Sequence, residues 1–249
     1  MVCHVRIYGV INLAWDHNSY YQPRLLRALP AQCERVLDVG CGKGEFAIRL
    51  AGRAARVDAV DRSAEMIEAA RRVVPANVTC LQGDVAEMTL PAGAYDAITS
   101  ISALHHLSLP IVLPRLAQAL RPGGILVGVS HHRLELPRDL PFEAVRVLAN
   151  ISRRGALCAL PAGRRYRREM YRRLAVGPSM PIMNPVLTIR EVRRQAERAL
   201  PGATVRRLVL WRYELRWRKP QQLLGQGDDH ADGRGRQQGG HRPAAQEEQ

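Results

Sequence analysis

Val36-Leu-Asp-Val-Gly-Cys-Gly-Lys-Gly-Glu-Phe46 runs from a short apolar strand through an acid and three glycines into a helix. Gly40, Gly42 and Gly44 remove Cβ atoms that would hold a ligand away from the backbone, and they permit positive φ. The start of the helix that follows offers unpaired N–H groups to a carboxylate. The spacing is GxGxG, one residue short of the GxGxxG of dinucleotide sites, so the loop alone does not specify a nucleoside.

Outward from this loop, Arg35 to Val129 alternates β-branched runs with helical patterns, which predicts a parallel sheet with crossover helices. The strands are expected at Val36–Val39, Val57–Val60, Val78–Gln82, Ala97–Ile101 and Ile125–Val129. Ser63–Arg72 reads as a helix with a serine cap, and Pro110–Leu120 as one opened by proline, with Pro122-Gly-Gly124 turning the chain into the fifth strand. Ser19–Leu29 is a lead-in helix interrupted near its start by Pro23. Asp38, Asp61 and Asp84 then fall at the C-terminal ends of successive strands, the crevice where open α/β sheets bind ligands. Asp61 is placed to accept both hydroxyls of a ribose, and Asp84 to accept from an exocyclic amino group such as that of adenine.

With 249 residues and 46% hydrophobic residues the chain can bury a core, which excludes global disorder. No run approaches the ~18 consecutive apolar residues of a membrane helix, and residues 7–15 lack a signal-peptide cleavage pattern, so a soluble cytoplasmic protein is expected. Five cysteines without a CxxC pair argue against a disulfide framework or a structural zinc. The net charge of +14 is uneven: residues 1–130 hold 13 basic and 11 acidic side chains, residues 131–219 hold 21 and 7, and residues 220–249 hold 3 and 5. Lys43 and Lys219 are the only lysines. A block this basic can attract phosphate, carboxylate or nucleic acid, but a solvated arginine-rich helix face is the plainer reading.

Residues 131–187 are too long for an ordinary loop and read as a helical insertion, with Tyr166, Met170, Tyr171 and Leu174 sharing one face. Thr188-Ile-Arg-Glu191 matches a capping box and opens a helix to about Leu200. Trp211, Tyr213, Leu215 and Trp217 alternate with charged residues as in a strand with one face on the core. No turn residue decides whether 204–218 is one bent strand or two antiparallel ones. In residues 220–249 apolar residues nearly vanish, and the stretch reads as a disordered tail after a domain spanning 1–219.

The series VLDVGCGKG, AVDRSAEMIEAAR, LQGDVAEM, YDAITSISALHHL and LRPGGILVGVS resembles the class I S-adenosylmethionine-dependent methyltransferases of the small-molecule type, over roughly residues 18–218. The resemblance implies a Rossmann-like, doubly wound, seven-stranded, mostly parallel α/β sheet. Its last strand would be antiparallel and drawn from residues 204–218. S-adenosylmethionine would be the cofactor: Gly40, Gly42 and Gly44 would line its methionine end, Asp38 would sit near its ammonium, Asp61 would hold the ribose and Asp84 the adenine amino group, with Arg62 and Val85 flanking the ring. Because one scaffold serves many acceptors, the substrate needs a separate argument.

A sulfonium methyl is already electrophilic, so the enzyme's main task is to hold a nucleophile in line, and no metal is required. His105-His106 and His131-His132 follow the fourth and fifth strands at the rim where an acceptor would arrive. His105, His106 and His131 are therefore the candidates for acid–base work, against a plain packing role. Adjacent histidines rarely share one ion, and no metal site is expected. Ser100-Ile-Ser-Ala103 stands where methyltransferases of nucleic-acid bases often carry an Asn/Asp-Pro-Pro-Tyr signature. The expected acceptor is therefore a small molecule, with the arginines of the insertion, as a lid over it, suited to an anionic group. An RNA-modifying enzyme using the insertion as a phosphate track is the alternative. Oligomeric state is not encoded in any motif.

Overall fold

The computed structural model describes residues 17–135, 184–208 and 211–221, together with Asp139, Pro141, Ala144 and Val145. Tyr166, Met170, Tyr171, Leu174 and the arginines around them, like the segment after Gln221, lie outside the described residues.

Helix α1 (His17–Ala28) leads into a β/α alternation: β1 (Cys33–Val39), α2 (Glu45–Ala51), β2 (Ala54–Asp61), α3 (Ala64–Arg71), β3 (Val78–Gln82), β4 (Tyr95–Ile101), a 3₁₀ turn (Leu104–His106), α4 (Leu109–Ala119) and β5 (Leu120–His131). After the insertion come α5 (Ile189–Ala199), β6 (Thr204–Arg207) and β7 (Arg212–Arg218). The seven strands order as β3-β2-β1-β4-β5-β7-β6. β1 to β5 are parallel, and β7 lies antiparallel between β5 and β6. The order reverses at β1, and the glycine loop leaves the sheet at that switch point.

Helices cover both faces, so the strands are apolar on both sides and successive residues serve opposite cores. Leu37 and Leu126 join Val112, Leu116, Val192 and Ala196 beneath α4 and α5, whereas Val36 and Val127 join Leu25, Leu50 and Ile67 beneath α1, α2 and α3. The caps form as the sequence predicts. Ser63 Oγ accepts from Met66 N–H at the start of α3. Thr188 and Glu191 satisfy each other's backbone N–H groups at the start of α5.

Three features differ from the sequence reading, and one that it left open is decided. Helix α1 continues through Pro23 without interruption. Pro122-Gly-Gly124 does not separate helix from strand. It lies inside β5, where the pairing with β4 jumps from Tyr95–Leu120 to Ala97–Ile125, and Gly123 takes φ 76° to absorb the surplus residues. Residues 204–218 form two antiparallel strands, with Trp211 (φ 57°) in the left-handed position that turns usually give to glycine or asparagine. Finally, the first half of β7 is buried on both faces, while Arg216 and Arg218 are exposed as the alternation predicts. Tyr213, Leu215 and Trp217 enter the core as expected, but Trp211 precedes the strand and is only half-buried, and Arg212 and Glu214 are buried too. Glu214 accepts a two-pronged bond from Arg24 of α1, at 2.9 and 2.8 Å.

Lys219 follows β7 and donates to the carbonyls of Ala117 and Leu120, at 2.8 and 2.6 Å. It supplies the cation that favours the C-terminal end of α4.

Candidate functional site

At the C-terminal ends of β1, β2 and β3 the chain builds a cleft around Asp61. Gly40 and Cys41 both donate to the Val60 carbonyl, at 2.8 and 3.0 Å, which folds the glycine loop back onto β2. Gly42 N–H then reaches one oxygen of Asp61 and Ser63 N–H the other, both at 2.9 Å. The carboxylate is fixed by two backbone donors, and each oxygen keeps a further lone pair to offer a ligand. Asp84 is set by a tight turn in which its side chain accepts from Ala86 N–H at 2.8 Å.

The glycines divide their work. A Cβ on Gly40 would lie 2.1 Å from that of Ala103, and one on Gly44 would lie 2.8 Å from Val74 Cγ1. Both positions also hold positive φ, 73° and 81°. At Gly40 and Gly44, then, the missing side chain makes room for the protein itself, and Gly44 opens α2 from behind the cleft wall.

Gly40, Gly42, Asp61, Arg62, Asp84, Val85 and His106 line the cleft, whereas Asp38, Gly44, His105 and His131 do not. The sequence reading did not assign Met66, Ser102, Ala103 and Leu107 to the site, and Ser63 it read only as a cap; all five line the cleft. Ser102 and Ala103 sit in the quoted SALHHL stretch, but nothing in their residue types announces a ligand.

Asp38 lies in the sheet behind the glycine loop. Thr99 Oγ donates to its Oδ1 at 2.9 Å, while Oδ2 is buried with no hydrogen-bond partner. Burial, with the charge of Asp61 adding to it and the Thr99 bond opposing, lifts this carboxyl to about 7. A cation arriving nearby would restore its charge. Cys41 in the loop donates weakly to the Gly42 carbonyl at 3.6 Å, and burial beside Asp38 and Asp61 pushes its thiol up, away from the reactive thiolate.

Three histidine rings cluster, one pair tilted and one edge-on. His105 and His106 have ring centroids 3.9 Å apart, and His105 and His131 4.8 Å apart. His105 is fixed from behind: its N–H donates to Ser130 Oγ at 3.0 Å, and its Nδ1 meets the same hydroxyl at 2.8 Å. Burial, with the neighbouring charges of His106 and Arg212, holds His105 down to about 3, so its ring is neutral at physiological pH. His106, which faces the cleft, is also held below the ordinary imidazole value, by burial and by Arg62, and its Nδ1 has no hydrogen-bond partner. Among the described residues no group of three or more His, Cys, Asp or Glu side chains could hold a metal ion.

Comparison with known proteins agrees with this geometry. Residues 36–124 match a family model described as a methyltransferase domain. An uncharacterised methyltransferase of Mycobacterium tuberculosis is 32% identical over 209 residues, 83% of this chain and 98% of that protein. Trans-aconitate 2-methyltransferase of Deinococcus radiodurans is 35% identical over 151 residues, 53% of this chain and 57% of its own. Among solved structures, the DhpI–SAH complex superimposes with a TM-score of 0.56 at 19% identity, covering 88% of this chain and 91% of that one, which speaks to the fold. A near-full-length relative, the matched motif region and a seven-stranded sheet with one antiparallel strand lead to the same result: the chain belongs to the class I S-adenosylmethionine-dependent methyltransferases.

Proposed function

We propose that the cleft binds S-adenosylmethionine and that the protein transfers its methyl group, by direct in-line displacement, to a small anionic acceptor. The observation that carries this reading is Asp61, a carboxylate fixed by Gly42 and Ser63 N–H groups at the switch point of the sheet, with lone pairs left for a ribose diol. Asp84 accepts from the adenine amino group, with Arg62 and Val85 on either side of the ring. Gly40 and Gly42 bring bare backbone to the methionine end, and Gly44 supports that loop by starting α2. Asp38, with its unpartnered Oδ2, takes the ammonium. This buried oxygen is what makes the residues fit the cofactor, because it lacks only a cation.

The cofactor supplies a methyl carbon already activated by positive sulfur. The chain's own residues hold the acceptor, exclude water and manage a proton. His106 is the histidine placed to accept a hydrogen bond or a proton at Nδ1, while His105 and His131 support it from behind. A neutral imidazole held below its usual range is a weak base, which suits an acceptor that is already ionised or readily so. An anionic acceptor also agrees with the acid named in the Deinococcus radiodurans relative and with the arginine-rich block at 131–219. The catalytic domain spans 1–219, residues 131–187 act as its acceptor lid, and 220–249 form a tail. Among the described residues no helix is long and apolar enough to cross a membrane. The free thiols of Cys33, Cys41 and Cys80 go with a cytoplasmic location.

The test is transfer of a labelled methyl group from S-adenosylmethionine to a panel of small carboxylic acids, phenols and amines, with transfer RNA alongside. Labelled carboxylic esters are the expected products. Labelled RNA as the sole product would overturn the acceptor class, and absence of cofactor uptake in equilibrium dialysis would overturn the site.

A further inference from the structure

We propose that Ser102 is a positioning residue: its hydroxyl pins a left-handed turn that seats Ala103 against the glycine loop and His106 over the cleft. The proposal rests on reading the cleft as the cofactor site. Ser102 directly follows β4 at φ 58° and, with Trp211, is one of two non-glycine residues at positive φ among the described residues. Elsewhere around the cleft this conformation is given to glycine, which adopts it freely; a residue with a side chain persists there only when its surroundings hold it.

The surroundings do so from three directions. The backbone N–H of Ser102 donates to the Val129 carbonyl of β5 at 2.7 Å. Its hydroxyl donates to Asn18 Oδ1 at 2.7 Å and accepts from Arg212 Nη1 at 2.7 Å, while the same Arg212 nitrogen donates to Asn18 at 3.1 Å. One hydroxyl therefore ties the end of β4 to α1 and β7. The next residue shows what this achieves. Ala103 places its methyl group in the space a Gly40 side chain would need, and its carbonyl accepts from His106 N–H at 2.9 Å, which closes the turn carrying both histidines. A glycine at 102 would reach the same φ without cost but would lose the hydroxyl, so the retained side chain marks the tie rather than the turn as the essential element.

Ser102→Ala and Ser102→Gly both remove the tie, and Ser102→Gly relieves the backbone as well. Two readouts follow: the titration of the His106 ring by NMR in the ligand-free protein, and the affinity for S-adenosylhomocysteine by calorimetry. In both variants the His106 midpoint should rise toward the free imidazole value of ~6.5, and affinity should fall about tenfold, the ordinary size of a coupling between a positioning residue and the site it orders. An unchanged His106 titration in both variants would overturn the proposal, even if the proteins melted earlier, because a merely structural role would lower stability alone. Should neither variant fold, Asn18→Ala loosens the same tie without touching the turn: a raised His106 midpoint in it supports the tie, and an unchanged one refutes it. If wild-type protein takes up no S-adenosylhomocysteine, the cofactor reading fails while the titration still decides the role of Ser102.

Discussion

The two ends of the sheet treat buried polar groups in opposite ways. Toward the N-terminal end, Asp58, midway along β2, is closed by Arg35 of β1 at 2.7 Å and by the hydroxyl of Tyr95, the first residue of β4, at 2.7 Å. Asp96 there accepts from Arg35 N–H at 2.8 Å and pairs with Arg121. At the C-terminal end, Asp38 Oδ2 and His106 Nδ1 are held out of water with no partner. Folding supplies no reason to leave them open, because a buried polar atom without a partner is costly. The closed end contributes stability, and in the function proposed above the open end keeps its lone pairs for a ligand.

Four measurements sharpen or break this contrast, taken from the largest expected effect. Gly40→Ala collides with the Ala103 methyl group at a backbone angle that resists a side chain. Overpacking and strain together should cost about 4 kcal/mol in urea unfolding, and ligand binding should fail as well. A mild loss would mean that the β4 turn yields easily. Arg35→Ala, at the closed end, leaves Asp58 buried with only Tyr95 and should cost about 3 kcal/mol of stability, the lower end for a broken buried pair, since Arg35 is partly exposed. Its affinity for S-adenosylmethionine should be unchanged, and a parallel drop in affinity would break the separation of the two ends.

Asp61→Ala reverses the pattern. Calorimetry should show cofactor binding weakened by about 1.5–3 kcal/mol, the range for charge-assisted hydrogen bonds, with a smaller loss of stability from the released Gly42 and Ser63 donors. The finest test concerns Asp38, whose carboxyl burial pushes up to about 7 from an ordinary 3.8. Between those values the folded protein holds a proton that the unfolded chain has released, so stability falls as pH rises through that window and levels off above it. Asp38→Asn should abolish the slope. At about pH 6, wild-type protein should release a proton on binding the cofactor's ammonium, seen as a dependence of the binding heat on buffer, and Asp38→Asn should not.

What the sequence revealed and what it concealed follow a physical division. The strands, the Ser63 and Thr188 caps, and the acids ending β1, β2 and β3 could be read because periodicity and capping are local. Pro23 looked like a break, yet α1 is held by packing of Tyr21 and Leu25 against the sheet, which outweighs one missing hydrogen bond. Arg212 and Glu214 looked solvent-facing because the groups that bury them, Asn18 and Arg24, lie some two hundred positions away. The turn at Trp211 and the conformation of Ser102 carried no signal, since both residues occupy a region their types rarely visit. The position of Asp38 behind the glycine loop, rather than on the cleft surface, needed the fold of the loop itself.

The placement of β7 has a consequence for biosynthesis. His131 of β5 pairs with Arg212, some eighty positions further along, which is several seconds at the ~5–20 residues per second of ribosomal elongation. Until then a long apolar strand presents a bare edge, the kind of surface on which nascent chains join one another. Premature termination before Arg212 would leave that edge permanently uncovered, so shortened products of this protein should accumulate as aggregates rather than as smaller soluble enzymes.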